Sequence, residues 1–272
     1  MSGFDMYGEM DVSTEDDMYF LRFFSEYNDL AERFPELMYE NPNSENMQSF
    51  RKCFDLKFIS NKKDDMRVIT DLKKQAVELM SFTGKELGAK KYDELNVAEI
   101  VSTAKREGYA LNCRYRTYIF TTMALSVGLK ARMVSCMSMD MRYNDCHWVT
   151  EIYSDTYGKW IVVDVPLDFF YFDRRGIPLN LLEMRNRIIS GKPIKMLSTN
   201  KEHIEFTQQY WKKNIFRFKF PARNEYNALA AKEQQFYVLN PSGFCMSNKQ
   251  VIANGHSIGY KYYYNCRGIW GD

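Results

Sequence analysis

The amino-acid sequence predicts an α+β fold in which one buried helix packs on an antiparallel sheet. Three observations predict it. From Tyr118 to Val127 the run "YIFTTMALSV" is apolar nearly all round, as expected of a helix enclosed by protein. It is followed by "ARMVSCMSM", "HWVTEIYS" and "GKWIVVDV", three strand-like runs rich in Val, Ile and aromatic residues. Helical periodicity dominates before this block, and helix and strand patterns mix after it.

The elements follow in order. Residues 1–17 are acidic and Gly/Met-rich, with no periodic apolar positions, and read as a disordered tail. A helix starts near Ser13 or Thr14, where "STEDD" supplies capping hydroxyls and first-turn acids, and runs through "MYFLRFFSEYNDLAERF" until "PELMYENPNSEN" breaks it. "DDMRVITDLKKQAVELMSFTGKEL" places Val68, Leu72, Ala76 and Leu79 on one helical face, and a shorter helix covers 94–106. The buried helix opens near Cys113 and ends at Gly128. Beyond Pro166, "LNLLEMRNRIISG" and "KEHIEFTQQYWKK" read as helices, and "IFRFKF", "QQFYVL" and "YKYYY" as strands. The expected organisation is a tail (1–17), an N-terminal helical extension (18–64), a core (65–185) and a C-terminal α/β extension packed on it (186–272).

Composition narrows the function classes. A chain of 272 residues, 45% hydrophobic, can bury a substantial core. Its 37 basic and 35 acidic residues leave +2, with no like-charge block to track a phosphate backbone, so nucleic acid is not an expected partner. No apolar run approaches the ~18 to 20 residues that cross a bilayer. The first residues lack a basic end and an apolar stretch, which predicts a cytoplasmic chain rather than a secreted one. The six scattered cysteines contain no C-x-x-C pair, so neither a disulfide scaffold nor a zinc site is expected, and no other metal or cofactor is called for.

The chemistry turns on one of three histidines. If "HWVTEIYS" and "GKWIVVDV" form a hairpin turning about Asp155–Thr156, Tyr153 faces Gly158 and His147 faces Asp164. Opposed residues share a face, so the Asp164 carboxylate reaches the imidazole; a loop of odd length would part them. Alternation sends Cys146 to the other face, with Trp148 and Thr150, where it packs. An Asp-oriented imidazole is commonly a general base. Its candidate partner is Cys113, which follows Asn112 at the first turn of the buried helix, where the helix dipole and a neighbouring imidazolium favour the thiolate.

Each signal also has a structural reading. A free cysteine is more often a small buried apolar residue than a nucleophile, and Asp164 can simply cap the turn "VPLD". Asp168 is a second candidate to orient His147, but it lies beyond Pro166. His203 reads as part of a solvated helix face and His256 as a turn residue. Metal ligation by Cys136, Cys146 and His147 would need both faces of one strand.

At these residues, over roughly 65–185, the sequence resembles the transglutaminase-like superfamily of papain-type cysteine enzymes. "NCRYRTYIFTTMALSVGLKARMV" is similar to the family's cysteine-led buried helix and its "G-L/I-x-A-R-x-V" exit. "HWVTEI" matches a histidine heading a strand with glutamate four positions later, here His147 and Glu151, and "KWIVVDVP" matches a tryptophan-containing strand ending in aspartate-proline, here Trp160 and Asp164. Two details differ. Trp148 follows the histidine directly, where the family often has His-Ala-Trp, and Val165 separates Asp164 from Pro166. No residue before Cys113 matches the family's second oxyanion donor.

The resemblance implies a papain/transglutaminase-like core with N-terminal helical and C-terminal mixed extensions. It also implies a Cys113, His147, Asp164 triad that transfers an acyl group from an amide or peptide through a thioester, more in the manner of an amidase or peptidase than of a cross-linking enzyme. Two rivals remain: acyl transfer from a thioester cofactor, as in arylamine acetyltransferases, and a non-catalytic binding protein on the same scaffold, using the aromatic tail "YKYYYNCRGIW". Neither the acyl donor nor the oligomeric state follows from the sequence.

Overall fold

The structure, a computed structural model, describes residues 15–59, 65–80, 95–108, 111–139, 146–198, 204–228, 235–245 and 259–270. The expected tail lies outside these residues except for Glu15–Asp17, which open the first helix, and His203 and His256 lie outside them altogether. The chain order is α1 (Glu15–Phe23), β1 (Met38–Tyr39), α2 (Glu45–Cys53), α3 (Asp65–Leu79), α4 (Val97–Glu107), α5 (Cys113–Ser126), β2 (Ala131–Met137), β3 (Cys146–Ser154), β4 (Lys159–Asp164), β5 (Phe169–Phe172), α6 (Leu181–Ile189), β6 (Lys195–Leu197), α7 (Ile204–Lys213), β7 (Arg217–Pro221), β8 (Arg223–Asn224), β9 (Phe236–Leu239) and β10 (Tyr260–Tyr263).

α1 is shorter than its sequence pattern predicts. Continuing it would commit the carbonyls of Phe24 and Ser25 to helix bonds, but the fully buried Arg185 takes them instead, at 2.6 and 2.7 Å. The Asn28 N–H bonds to the Tyr264 carbonyl at 2.7 Å, so tertiary partners replace the helical ones. α3 buries Ile69, Leu72 and Ala76, with Met80 buried just past its end, while Val68 and Leu79 lie at the edge of its buried stripe.

Eight strands form one sheet in the order β10-β9-β7-β2-β3-β4-β5-β6. Every pairing is antiparallel except β10 with β9. A short parallel pair, β1 with β8, stands apart. β5 and β6 were not foreseen in the sequence: "FFYF" follows too closely on the Pro166 turn to stand out as a separate run.

The sheet separates two apolar clusters. α5 packs on one face with Met133, Trp148, Ile152, Ile161 and Val163. The other face carries Val134, Cys136, Val149, Val162, Tyr171 and Trp211. Every residue of α5 is buried except Arg114 and Arg116, which accounts for its uniformly apolar sequence. The helix stops at Val127, and Gly128 follows with φ +98°, where an added Cβ would come within 3.0 Å of the Phe58 ring.

Helix and strand run in step. Cys113, Thr117 and Thr121 lie one helical turn apart and face Cys146, Trp148 and Thr150, two residues apart on β3. Thr117 Oγ1 donates to the Trp148 carbonyl at 2.8 Å, and the hydroxyls of Thr121 and Thr150 are 2.8 Å apart. Four helical residues advance about 6 Å and two strand residues about 6.8 Å, so the two rows stay matched.

Candidate active site

The β3–β4 hairpin sets the distance between His147 and Asp164. Its loop is Asp155–Gly158, with Ser154 opposite Lys159 and Tyr153 opposite Trp160. The register is therefore shifted by two residues from the expected pairing of Tyr153 with Gly158. A shift of two preserves parity. Asp164 lies diagonal to His147 on the same face, and its Oδ2 is 3.0 Å from His147 Nε2.

Asp164 is held on every side. Its Oδ1 accepts the Leu167 N–H at 3.1 Å, and its Oδ2 also accepts the Tyr171 hydroxyl at 2.6 Å. The Trp211 indole N–H in turn donates to the Tyr171 oxygen at 2.8 Å. Burial, and then the Asp164 carboxylate, push the Tyr171 hydroxyl well above its usual range, so it remains a donor. Tyr210 and Trp211 meet the imidazole edge to face, at 5.5 and 5.4 Å between centroids. Asp168 has another role: it sits in the turn at φ +61° and pairs with Lys73.

Both His147 and Asp164 are fully buried. The other imidazole nitrogen, Nδ1, has no hydrogen-bond partner among the described residues. A buried nitrogen left in this way is a group with an unmade bond.

Cys113 does not hydrogen-bond to His147 Nδ1, and it does not share a sheet face with the pair. α5 covers the face of Cys146 and Trp148, whereas His147 points to the opposite one. The Cys113 sulfur lies 3.8 Å from the Cys146 carbonyl oxygen, against the peptide that leads into His147. Nδ1 is the ring nitrogen nearer the backbone by one bond, and the sulfur abuts the peptide that leads into the same residue.

Asn112 positions the thiol by capping α5: its side chain accepts the Tyr115 N–H at 3.1 Å. Replacing it with Ala is expected to cost about 1 kcal/mol in chemical unfolding, and Asn112→Ser to restore most of that.

Two neighbours, Tyr171 and Trp211, escape the sequence reading, and a third, Cys136, enters it only as a metal-ligand candidate. Cys136 stands directly opposite His147 on the same face. Burial, with Glu151 and Asp164 nearby, pushes its thiol well above the usual range, which keeps it neutral and a poor nucleophile. The strand pairing was its only signal. Tyr171 and Trp211 left none, because their bonds join β5 and α7 across sequence gaps that no short pattern spans. Cys146 faces away from His147, as alternation predicts, and no group of three or more potential metal ligands is gathered among the described residues.

Glu151, four residues after the histidine, is structural. Its Oε2 accepts Arg132 Nε and Nη2 at 3.0 and 2.7 Å, and its Oε1 accepts the Leu181 N–H and the Trp270 indole N–H at 3.0 and 2.8 Å. The Arg132 guanidinium stacks 3.8 Å from the Trp160 ring centroid.

Comparison with curated proteins and with solved structures yields no match. A family model does match, over residues 57–165: the transglutaminase-like superfamily. The matched stretch runs from before α3 to just after β4 and contains Cys113, His147 and Asp164. It points in general terms to cysteine-dependent acyl transfer or hydrolysis. The mixed α+β arrangement, with its large, mostly antiparallel sheet, is consistent with a transglutaminase-like core over residues 57–165.

Proposed function

We propose that the protein is a cysteine-dependent enzyme that cleaves an amide or peptide bond through a thioester. Cys113 is the nucleophile, His147 the general base and then acid, and Asp164 the residue that orients the imidazole. One observation carries the reading: Asp164 holds His147 Nε2, Nδ1 has no hydrogen-bond partner among the described residues, and the Cys113 sulfur abuts the peptide that leads into His147. With Nε2–H donated to Asp164, Nδ1 carries the lone pair that can accept a proton.

In the reaction, the Cys113 thiol gives its proton to Nδ1 and sulfur bonds to the carbonyl carbon. As the tetrahedral centre collapses the C–N bond breaks, and the imidazolium proton leaves on the amine. Water then attacks the thioester, giving a proton to Nδ1, and the carboxylate departs as the thiol is restored. The first-turn N–H of Cys113, at the positive end of α5, faces the developing oxyanion. Water is the acceptor in this reading, which makes the enzyme an amidase or peptidase.

A thiol-directed electrophile at neutral pH tests the assignment, with adducts located by peptide mass spectrometry. Cys113→Ala is expected to abolish the fast labelling and Cys146→Ala to leave it intact. Equal labelling of both variants would remove Cys113 from its role. Turnover of acetyl-coenzyme A in place of amides would transfer the same triad to a thioester donor.

A further inference from the structure

On the face that α5 covers stands a cation, Lys219, with no carboxylate partner among the described residues. Register lines up Trp148, Ser135 and Lys219 across β3, β2 and β7. The Lys219 ammonium lies 5.2 Å from the Trp148 ring centroid, 5.3 Å from that of Phe236 and 5.6 Å from that of Tyr260. Three ring faces stabilise a cation but do not neutralise it. Lys219 makes no ion pair among the described residues. Ser135, in the centre of the row, is fully buried, and its hydroxyl has no hydrogen-bond partner among them.

The same place is close to the nucleophile. Cys146, whose carbonyl meets the Cys113 sulfur, is near enough to Lys219 to act on its charge, as are Arg114 and Arg217. A lysine and two arginines therefore gather on the side of the sheet where the Cys146 carbonyl meets the Cys113 sulfur, with the Ser135 hydroxyl in the same row, and aromatic walls strengthen the field by excluding water.

We propose that Lys219 and Ser135 form a carboxylate-binding subsite, so that the preferred acyl donor carries a carboxylate close to its scissile amide. The inference rests on Cys113 as nucleophile and adds the substrate class. An ammonium and one hydroxyl suit a singly charged, planar acceptor, and the flanking rings hold the carbon chain that bears it. Burial above all lowers Lys219 to about 8; Cys146 opposes this, and Arg114 and Arg217 add to it. A bound carboxylate supplies the partner that this cation lacks among the described residues.

Iodoacetate and iodoacetamide differ by one carboxylate and report on the subsite directly. Their rates of alkylation at Cys113 are measured in the full chain and in Lys219→Met and Lys219→Arg. Lys219→Met is expected to lower the iodoacetate-to-iodoacetamide ratio about fivefold or more, and Lys219→Arg to retain most of it. The ratio in the unaltered protein is expected to fall as pH rises through about 8, as Lys219 loses its proton. Two titratable neighbours do not mimic this change: Tyr260 is raised to about 12, and Arg217, though lowered to about 10, keeps its charge. Lys219→Arg is expected to flatten the profile, which separates lysine from Cys146. If Cys113 is labelled but Lys219→Met leaves the ratio unchanged, the subsite is overturned and the nucleophile stands. If neither reagent labels Cys113, both fall.

Discussion

Glu151→Leu is expected to lower the unfolding free energy by about 3 to 5 kcal/mol, measured by denaturant titration. The cost arises mainly from what is left behind. Arg132 remains fully enclosed, its guanidinium stacked on Trp160 and one nitrogen bonded to the Ile269 carbonyl at 2.9 Å, with no counter-charge. The Leu181 and Trp270 N–H groups also lose their acceptor. Replacing Arg132 with Met in the same chain removes the uncompensated charge, so the double variant is expected to recover much of the loss. A single variant within about 1 kcal/mol of the parent would show that water reaches the guanidinium and that the pair does not tie α6 and the C-terminal Trp270 to the sheet.

Asp164→Asn is expected to slow Cys113 alkylation and amide turnover by about 10³- to 10⁴-fold with little change in fold. Asp164 accepts three donors: the Leu167 N–H on one oxygen, and His147 and the Tyr171 hydroxyl on the other. An amide offers one oxygen. If that oxygen stays with Leu167, the NH₂ faces His147 and makes Nε2 the acceptor, which moves the ring proton to Nδ1. The nitrogen beside Cys113 then has no lone pair for the thiol proton. A pH profile of alkylation separates this from unfolding: the variant is expected to react only as an ordinary thiol ionises, near pH 8.5. Full reactivity at neutral pH would end the role given to Asp164.

The β3–β4 hairpin shows what was legible in the sequence and what was not. Period-two alternation placed His147 and Asp164 on one face and Cys146 on the other, and these relations hold in any register shifted by an even number. The register itself depends on the turn. Asp155–Gly158 closes with Tyr157 N–H on Ser154 Oγ at 3.2 Å and Thr156 N–H on Asp65 at 3.2 Å, and the second of these bonds comes from α3. No local pattern contains it. The same applies to α1, which Arg185 ends from about 160 residues away. The enclosed character of α5 was plain from its composition, but a helix buried on all sides does not say which face of the sheet it covers. That choice sets the thiol against the Cys146 carbonyl, on the face that also carries Trp148, Ser135 and Lys219.

The matched rows of α5 and β3 act as a pair of rulers laid side by side, with Thr117 and Thr121 as graduations that fix where the zero falls. Side chains between these marks can vary, but spacing cannot. One inserted residue between Cys113 and Thr121 would carry the sulfur about 1.5 Å along the axis and turn it about 100° around it, away from the strand. Natural variation in this stretch should therefore run to exchange of residue types and not to change of length.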